Sequence, residues 1–255
     1  MDSNKILHVA TYAGRIILEN GGETYRVEET INRICHAFGM EDADSFVTPT
    51  GIMASAFHTE RGTFSLVRRV RSRTVNLQKV HEVNDLSRNI LLKNMTVLEV
   101  LDELKKIDKS KRYDNKTTIF FSALGAGAFS MLFGGNIKDF VAAFIIGLVI
   151  KYFSIVSSSL SINDFFTNSI SGAITAIMAL IFIKLNIASN LDMTIIGAIM
   201  LLVPGLAITN AIRDTIAGDF VSGLTRAAEA FLVAIAIAVG SGIVLSFWFK
   251  FYGGI

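Results

Sequence analysis

Apolar positions in the first part of the chain recur every three to four residues, whereas beyond about residue 113 they run together with few interruptions. Ile6, Val9, Ala13, Ile16 and Ile17 share one helical face within residues 3–20. Val27, Ile31, Ile34 and Phe38 do the same within 24–38. Gly21-Gly22 breaks between these two helices and Gly39 ends the second. Three segments richer in β-branched and aromatic residues follow, at 45–48, 51–59 and 63–70. The last two flank Glu60-Arg61-Gly62, a hairpin turn. Further helices are predicted over 77–92 and, after a Thr96 N-cap, over 97–107. Residues 1–112 therefore read as a small α+β domain with four helices and a few strands.

A helix needs about 20 mostly apolar residues to cross a bilayer. Five stretches qualify, at 117–135, 140–158, 167–183, 193–212 and 227–249. The turn formers and charges lie between them: Gly134-Gly135-Asn136, then Ser161-Ile162-Asn163-Asp164, then 186–192. The expected fold class is an α+β soluble N-terminal domain, 1–112, followed by an all-α membrane bundle of five transmembrane helices, 113–255. Gly125 to Ala128 and Gly172, Ala173 and Ala176 supply small residues that let helix backbones approach. Gly125-Ala126-Gly127 lacks the strand and spacing of a nucleotide fingerprint and reads as packing.

Charge sharpens this division. Residues 1–116 hold 18 of the 24 Lys and Arg and 16 of the 22 Asp and Glu, together with all four histidines. Both parts are nearly neutral, so nothing points to a nucleic-acid partner. The start, Met1-Asp2-Ser3-Asn4-Lys5, has no apolar signal-peptide core, so export of the first domain is not expected. Lys105, Lys106, Lys109, Lys111, Arg112 and Lys116 precede the first span and hold that end on the cytoplasmic side. Five spans then give an N-in, C-out topology, with Trp248 and Tyr252 at the outer interface.

Candidate chemistry is sparse in the first domain. Cys35 is the only cysteine and reads as a buried helix residue. The run Arg68-Arg69-Val70-Arg71-Ser72-Arg73 reads as a solvated strand edge, the alternative being an internal dock for carboxylates. Thr50, Ser55, His58, Glu60 and His81 carry hydrolase-like atoms at no spacing that singles them out. No GxxxxGK[ST] and no haem, iron–sulfur or zinc spacing appears, so neither a cofactor nor a metal is called for.

The second part is richer. Pro204 and Gly205 interrupt the fourth stretch, as a packed kink or as a broken helix whose second half aims its amides at an anion. Asn210, Arg213 and Asp214 follow at i, i+3 and i+4 on one face. Asp219, Arg226 and Glu229 come next, across a short connection. Arg213 with Asp214 and Arg226 with Glu229 can be simple ion pairs. Alternatively the group lines a substrate or ion pathway in which Asp214 exchanges a proton. Lys151, inside the second stretch, either snorkels or neutralises an anionic substrate.

The segment from Leu202 to Asp214, LVPGLAITNAIRD, resembles the signature of the threonine/serine exporter (ThrE-like) family. Asn20 to Glu28 (NGGETYRVE), Pro49-Thr50-Gly51-Ile52 and Val83 to Arg88 (VNDLSR) resemble it too, in the expected order over nearly the whole chain. Full-length members have about twice as many spans as expected here. The length therefore resembles the larger subunit of the split, YjjP-like branch, which works with a small multispan YjjB-like partner. The resemblance implies proton-driven secondary export, of threonine and serine in one branch and succinate in the other. It carries over Pro204, Gly205, Asn210, Asp214 and Arg226 as family-like positions. The expectation is thus a subunit of a threonine/serine-like exporter in the bacterial cytoplasmic (inner) membrane. A dicarboxylate exporter subunit is the alternative, and a membrane-anchored hydrolase or regulatory scaffold a further one.

Overall fold

The computed structural model describes residues 3–110 and 113–253. Met1 and Asp2, and Lys111 and Arg112 of the basic run, lie outside the described residues. The chain divides into two compact units. One comprises Met1–Arg112 with Leu206–Ala228; the other comprises Tyr113–Gly205 with Glu229–Ile255.

The first unit is built around α1 (Ser3–Glu19), whose Ile6, Leu7, Val9, Ala13, Ile16 and Ile17 are all essentially inaccessible to solvent. The amphipathic α2 (Thr24–Ala37) lays Val27, Ile31 and Ile34 against it. Gly14 makes this approach possible, because a Cβ there would meet Ile31 Cδ1 at 2.9 Å. Strands β1 (Asp42–Thr48), β2 (Gly51–His58) and β3 (Gly62–Arg69) form an antiparallel sheet in the order β1-β2-β3. Alternation sends Val47, Ile52 and Arg68, which are paired across the sheet, to one face, with Ala43, Ala56 and Phe64. Arg68 reaches the Thr11 hydroxyl and the His8 carbonyl of α1. It is therefore a packed residue, while Arg69, Arg71 and Arg73 are exposed. Helices α3 (Leu77–Asn89) and α4 (Val97–Lys109) complete the N-terminal segment. The Asn76 side chain caps α3, and Thr96 with Glu99 forms a reciprocal capping box on α4. Cys35 is fully buried, and burial pushes its thiol up to about 12.

The second unit contains α5 (Asn115–Leu132), α6 (Ile137–Ser159), α7 (Asp164–Lys184) and α8 (Leu191–Ile199). It also contains the larger part of α10 (Phe220–Tyr252). Helix α9 (Gly205–Ala217) lies between α8 and α10 in the chain and belongs, from Leu206 on, to the first unit. Small residues set the helix spacing. A Cβ on Gly172 would stand 2.6 Å from the Ile237 carbonyl oxygen, and one on Gly240 would stand 1.8 Å from that of Ser169.

Two parts of the expected fold class are corrected. The first is the bundle of five membrane helices. Among the described residues, three helices have the length and composition to cross a membrane: α6, α7 and α10, with mean hydropathies of 2.2, 1.8 and 2.5. Helix α5 has 18 residues, but its Asn115-Lys116-Thr117-Thr118 start and its glycines dilute its apolar character. The stretch 193–212 is not one helix. Residues 200–204 interrupt it, leaving α8 with 9 residues and α9 with 13, each well under the span length. The second correction concerns the separate soluble α+β domain. The N-terminal segment is not a self-contained module ahead of a bundle, because residues 206–228 complete its compact unit. The chain is predominantly helical, with one small sheet.

Candidate functional site

Helix α9 exposes the reason for this completion. Asn210 and Asp214 are buried at 1% and 0% exposure, although both are polar. A buried amide or carboxylate must find partners, and here they come from the turn between α1 and α2. The Asn210 amide donates to the Gly21 carbonyl at 3.0 Å. Arg213 pairs with Glu23 at 2.5 Å. The Asp214 carboxylate accepts from the Thr24 backbone N–H at 3.2 Å on Oδ1 and from the Thr24 hydroxyl at 3.1 Å on Oδ2. Arg226, near the start of α10, places Nε 2.9 Å from Asp214 Oδ2 and donates through Nη2 to the Gly22 carbonyl at 3.0 Å. Four consecutive residues, Gly21 to Thr24, thus serve four polar side chains of α9 and α10.

The turn is shaped for this. Gly21 has φ +92°, in the left-handed region that glycine occupies freely. At Gly22 a Cβ would fall 2.3 Å from Ile17 Cγ2. Asn20 closes α1 by donating to the Ile16 carbonyl, and its own carbonyl accepts from Asn76 N at 3.0 Å. The turn is held on both sides.

Further carboxylates lie close by. Glu28, one helical turn beyond Thr24, accepts the Val47 N–H of strand β1 at 3.1 Å. Ser222 of α10 donates to the Val47 carbonyl at 3.0 Å, so α2 and α10 meet at one residue of an edge strand. Burial, together with the negative charges of Asp219 and Asp214, raises the Glu28 carboxyl to about 7 despite the Val47 hydrogen bond. Asp219, in the α9–α10 turn, is raised by burial and by Asp214. Glu23 behaves oppositely: burial raises it, but hydrogen bonds from Arg26 and Arg213 bring it below its ordinary value.

Of the residues singled out in the sequence, the structure brings together Asn210, Arg213, Asp214, Asp219 and Arg226 in the first unit. Asp214 and Arg213 do not take each other: adjacent helical residues point in different directions, and their partners are Arg226 and Glu23. Pro204 and Gly205 stand at the break between α8 and α9, in the second unit. Lys151 is half-buried on α6 and Glu229 is exposed on α10, both also in the second unit. Ser55 and His58 lie on β2, Thr50 and Glu60 in the turns beside it and His81 on α3, and none of the described histidines bonds a Ser or Thr hydroxyl. Sequence reasoning missed Glu23, Thr24, Glu28 and Ser222 as functional candidates. A signal existed for the first three, which fall in the NGGETYRVE segment, but the partners of Glu23 and Thr24 lie 190 residues away.

Comparison with known proteins gives the following. The profile of the threonine/serine exporter family, ThrE, matches residues 8–248. A Klebsiella aerogenes protein named "Probable succinate transporter subunit YjjP" is 23% identical over 91% of this chain and 90% of its own length. The protein of the same name from Escherichia coli is 22% identical, over 95% and 94%. The "Threonine/serine exporter" of Corynebacterium glutamicum is 24% identical over 94% of this chain but only 51% of its own length. No solved structure matches the chain significantly.

Proposed function

The chain belongs to the threonine/serine exporter family, and from that premise we propose that it is one subunit of a proton-coupled exporter of small carboxylate-bearing metabolites. It is a transport protein, not an enzyme, and its long apolar helices make it a membrane protein. The observation that carries the reading is the buried Asp214–Arg226 pair at 2.9 Å, with side-chain exposures of 0% and 6%. Protonating the carboxylate would remove the charge that holds the guanidinium, and the arginine could then meet a substrate carboxylate instead. Asn210 and Arg213 would line the same face, Asp219 would modulate it by charge, and the Pro204-Gly205 break would set where α9 begins. Lys151 and Glu229 remain secondary candidates along the pathway.

A dicarboxylate such as succinate is the first substrate in this reading, because the two relatives that match over 90% and 94% of their own length carry that name. Threonine and serine are the second, supported by the family and by the half-length match to the C. glutamicum exporter. That half-length match also favours a partner supplying the remaining spans, a small multispan membrane protein of the YjjB-like type. The inner membrane, with the N-terminal segment in the cytoplasm, is the placement favoured by the basic residues before α5.

The test is efflux of labelled succinate, threonine and serine from cells expressing this chain, with and without such a partner. Efflux of one class that needs both chains and is abolished by Asp214→Asn, with membrane abundance unchanged, is the expected result. Equal efflux of all three with and without the chain would end the proposal.

A further inference from the structure

The α1–α2 turn has no counterpart in the five-helix picture of transport, yet it supplies the partners of the buried polar groups on α9. Gly21, Glu23 and Thr24 meet Asn210, Arg213 and Asp214 in the same order along both segments. Positions i, i+3 and i+4 of a helix form one continuous strip. The two segments therefore run in register, with each turn residue facing its own partner.

We propose that the Gly21–Thr24 turn is a clasp that orients the transport carboxylate, and that Thr24 is its positioning residue. The inference rests on the transport reading of Asp214 and gives the N-terminal segment a part in it. Thr24 grips both carboxylate oxygens, Oδ1 through its N–H and Oδ2 through its hydroxyl. Arg226 places Nε 2.9 Å from Oδ2 of the same carboxylate. The Gly22 carbonyl fixes the other side of the same guanidinium through Nη2. Neither member of the ion pair can rotate without breaking a contact to the turn. The turn is itself braced, with Thr74 N donating to the Glu19 carbonyl at 2.7 Å and Asn76 N to that of Asn20 at 3.0 Å. Thr24 is fully buried, so water cannot replace its hydroxyl. The clasp therefore returns the carboxylate and the guanidinium to one pre-set geometry in each transport cycle.

The test uses the full chain with its partner in the efflux assay. Thr24→Val keeps the shape and the backbone N–H but deletes the hydroxyl, and Thr24→Ser keeps the hydroxyl. A hydrogen bond to a charged group contributes enough to predict a maximal efflux rate roughly tenfold or more lower for Thr24→Val. The half-saturating substrate concentration should change by less than about twofold, because the deleted contact is not to substrate. Thr24→Ser should return the rate to within about twofold of wild type. Membrane abundance and melting temperature of both variants are measured alongside. Wild-type efflux from Thr24→Val, or a Thr24→Ser rate as low as that of Thr24→Val, overturns the positioning role while leaving the transport reading intact. Absence of efflux from the wild-type pair overturns the transport reading and the positioning role with it.

Discussion

Among the described residues the two most deeply buried carboxylates are Asp139 in the second unit and Asp214 in the first, and they are satisfied in opposite ways. Asp139, in the first turn of α6, accepts Asn136 N at 2.9 Å and, on its other oxygen, Ser189 N at 2.7 Å, Asn190 N at 2.8 Å and the Thr194 hydroxyl at 3.4 Å. All four donors are neutral and most are backbone. Asp214 instead takes two donors from Thr24 and a full positive charge from Arg226. Fixed dipoles hold a carboxylate without leaving a counter-charge to be released, so Asp139 is suited to tying the α7–α8 connection to the start of α6. A charge partner ties two side chains together, so loss of Asp214 would leave a buried cation behind, which loss of Asp139 would not. Burial alone does not distinguish the two sites; the charge of the partner does.

This contrast can be broken experimentally, and the largest effect is expected at Asp214. Asp214→Ala strands Arg226 in a buried site, at a cost of about 3–5 kcal/mol, read as a lowered thermal unfolding midpoint of the purified protein. The double variant Asp214→Leu with Arg226→Met removes both charges and should recover most of that loss while remaining inactive in efflux. A midpoint for Asp214→Ala equal to wild type would show that the pair is not buried in the working protein.

Asp139→Asn should cost about 1–3 kcal/mol, since one amide replaces two accepting oxygens with an acceptor and an unwanted donor. No compensating loss of a cation should restore it. Recovery by any single Lys or Arg replacement would erase the distinction drawn between the two carboxylates.

The smallest effect concerns Glu28 and depends on pH. Its folded carboxyl sits at about 7 against an ordinary value of 4.5, so the folded chain binds this proton more tightly than the unfolded one. The stability it contributes is fully present below pH 4.5 and is lost as pH rises through about 7. Glu28→Gln, neutral at every pH, should be more stable than wild type at pH 8 and indistinguishable from it at pH 4 in paired melting curves. A gap that does not close on acidification would remove Glu28 from the acidic neighbourhood of Asp214 and Asp219.

The helices and strands of the first 110 residues follow the sequence closely. α1 over Ser3–Glu19, the hairpin through Glu60-Arg61-Gly62 and the Thr96 cap all depend on local periodicity and turn chemistry. Hydropathy also found the long apolar helices α6, α7 and α10. It overcounted at 193–212 because averaging over a window ignores a backbone break, although Pro204-Gly205 marked that break in plain view. The capping of α6 by Asn136 and Asp139 is local, whereas the other partners of Asp139, Ser189, Asn190 and Thr194, come from 50 to 55 residues away.

What the sequence determined by itself is the family, the local elements, and a polar face on α9 bearing Asn210, Arg213 and Asp214. What the tertiary structure decided is which groups meet that face. Arg213 stands beside Asp214 in the chain and bonds Glu23 instead, while Asp214 takes Thr24 and Arg226, and Arg226 takes Gly22. Periodicity reports which side of a helix is polar, because that is set by residues three and four apart. Ion pairing and hydrogen bonding are set by distance in space, and here the chain separation of the partners reaches 190 to 204 residues.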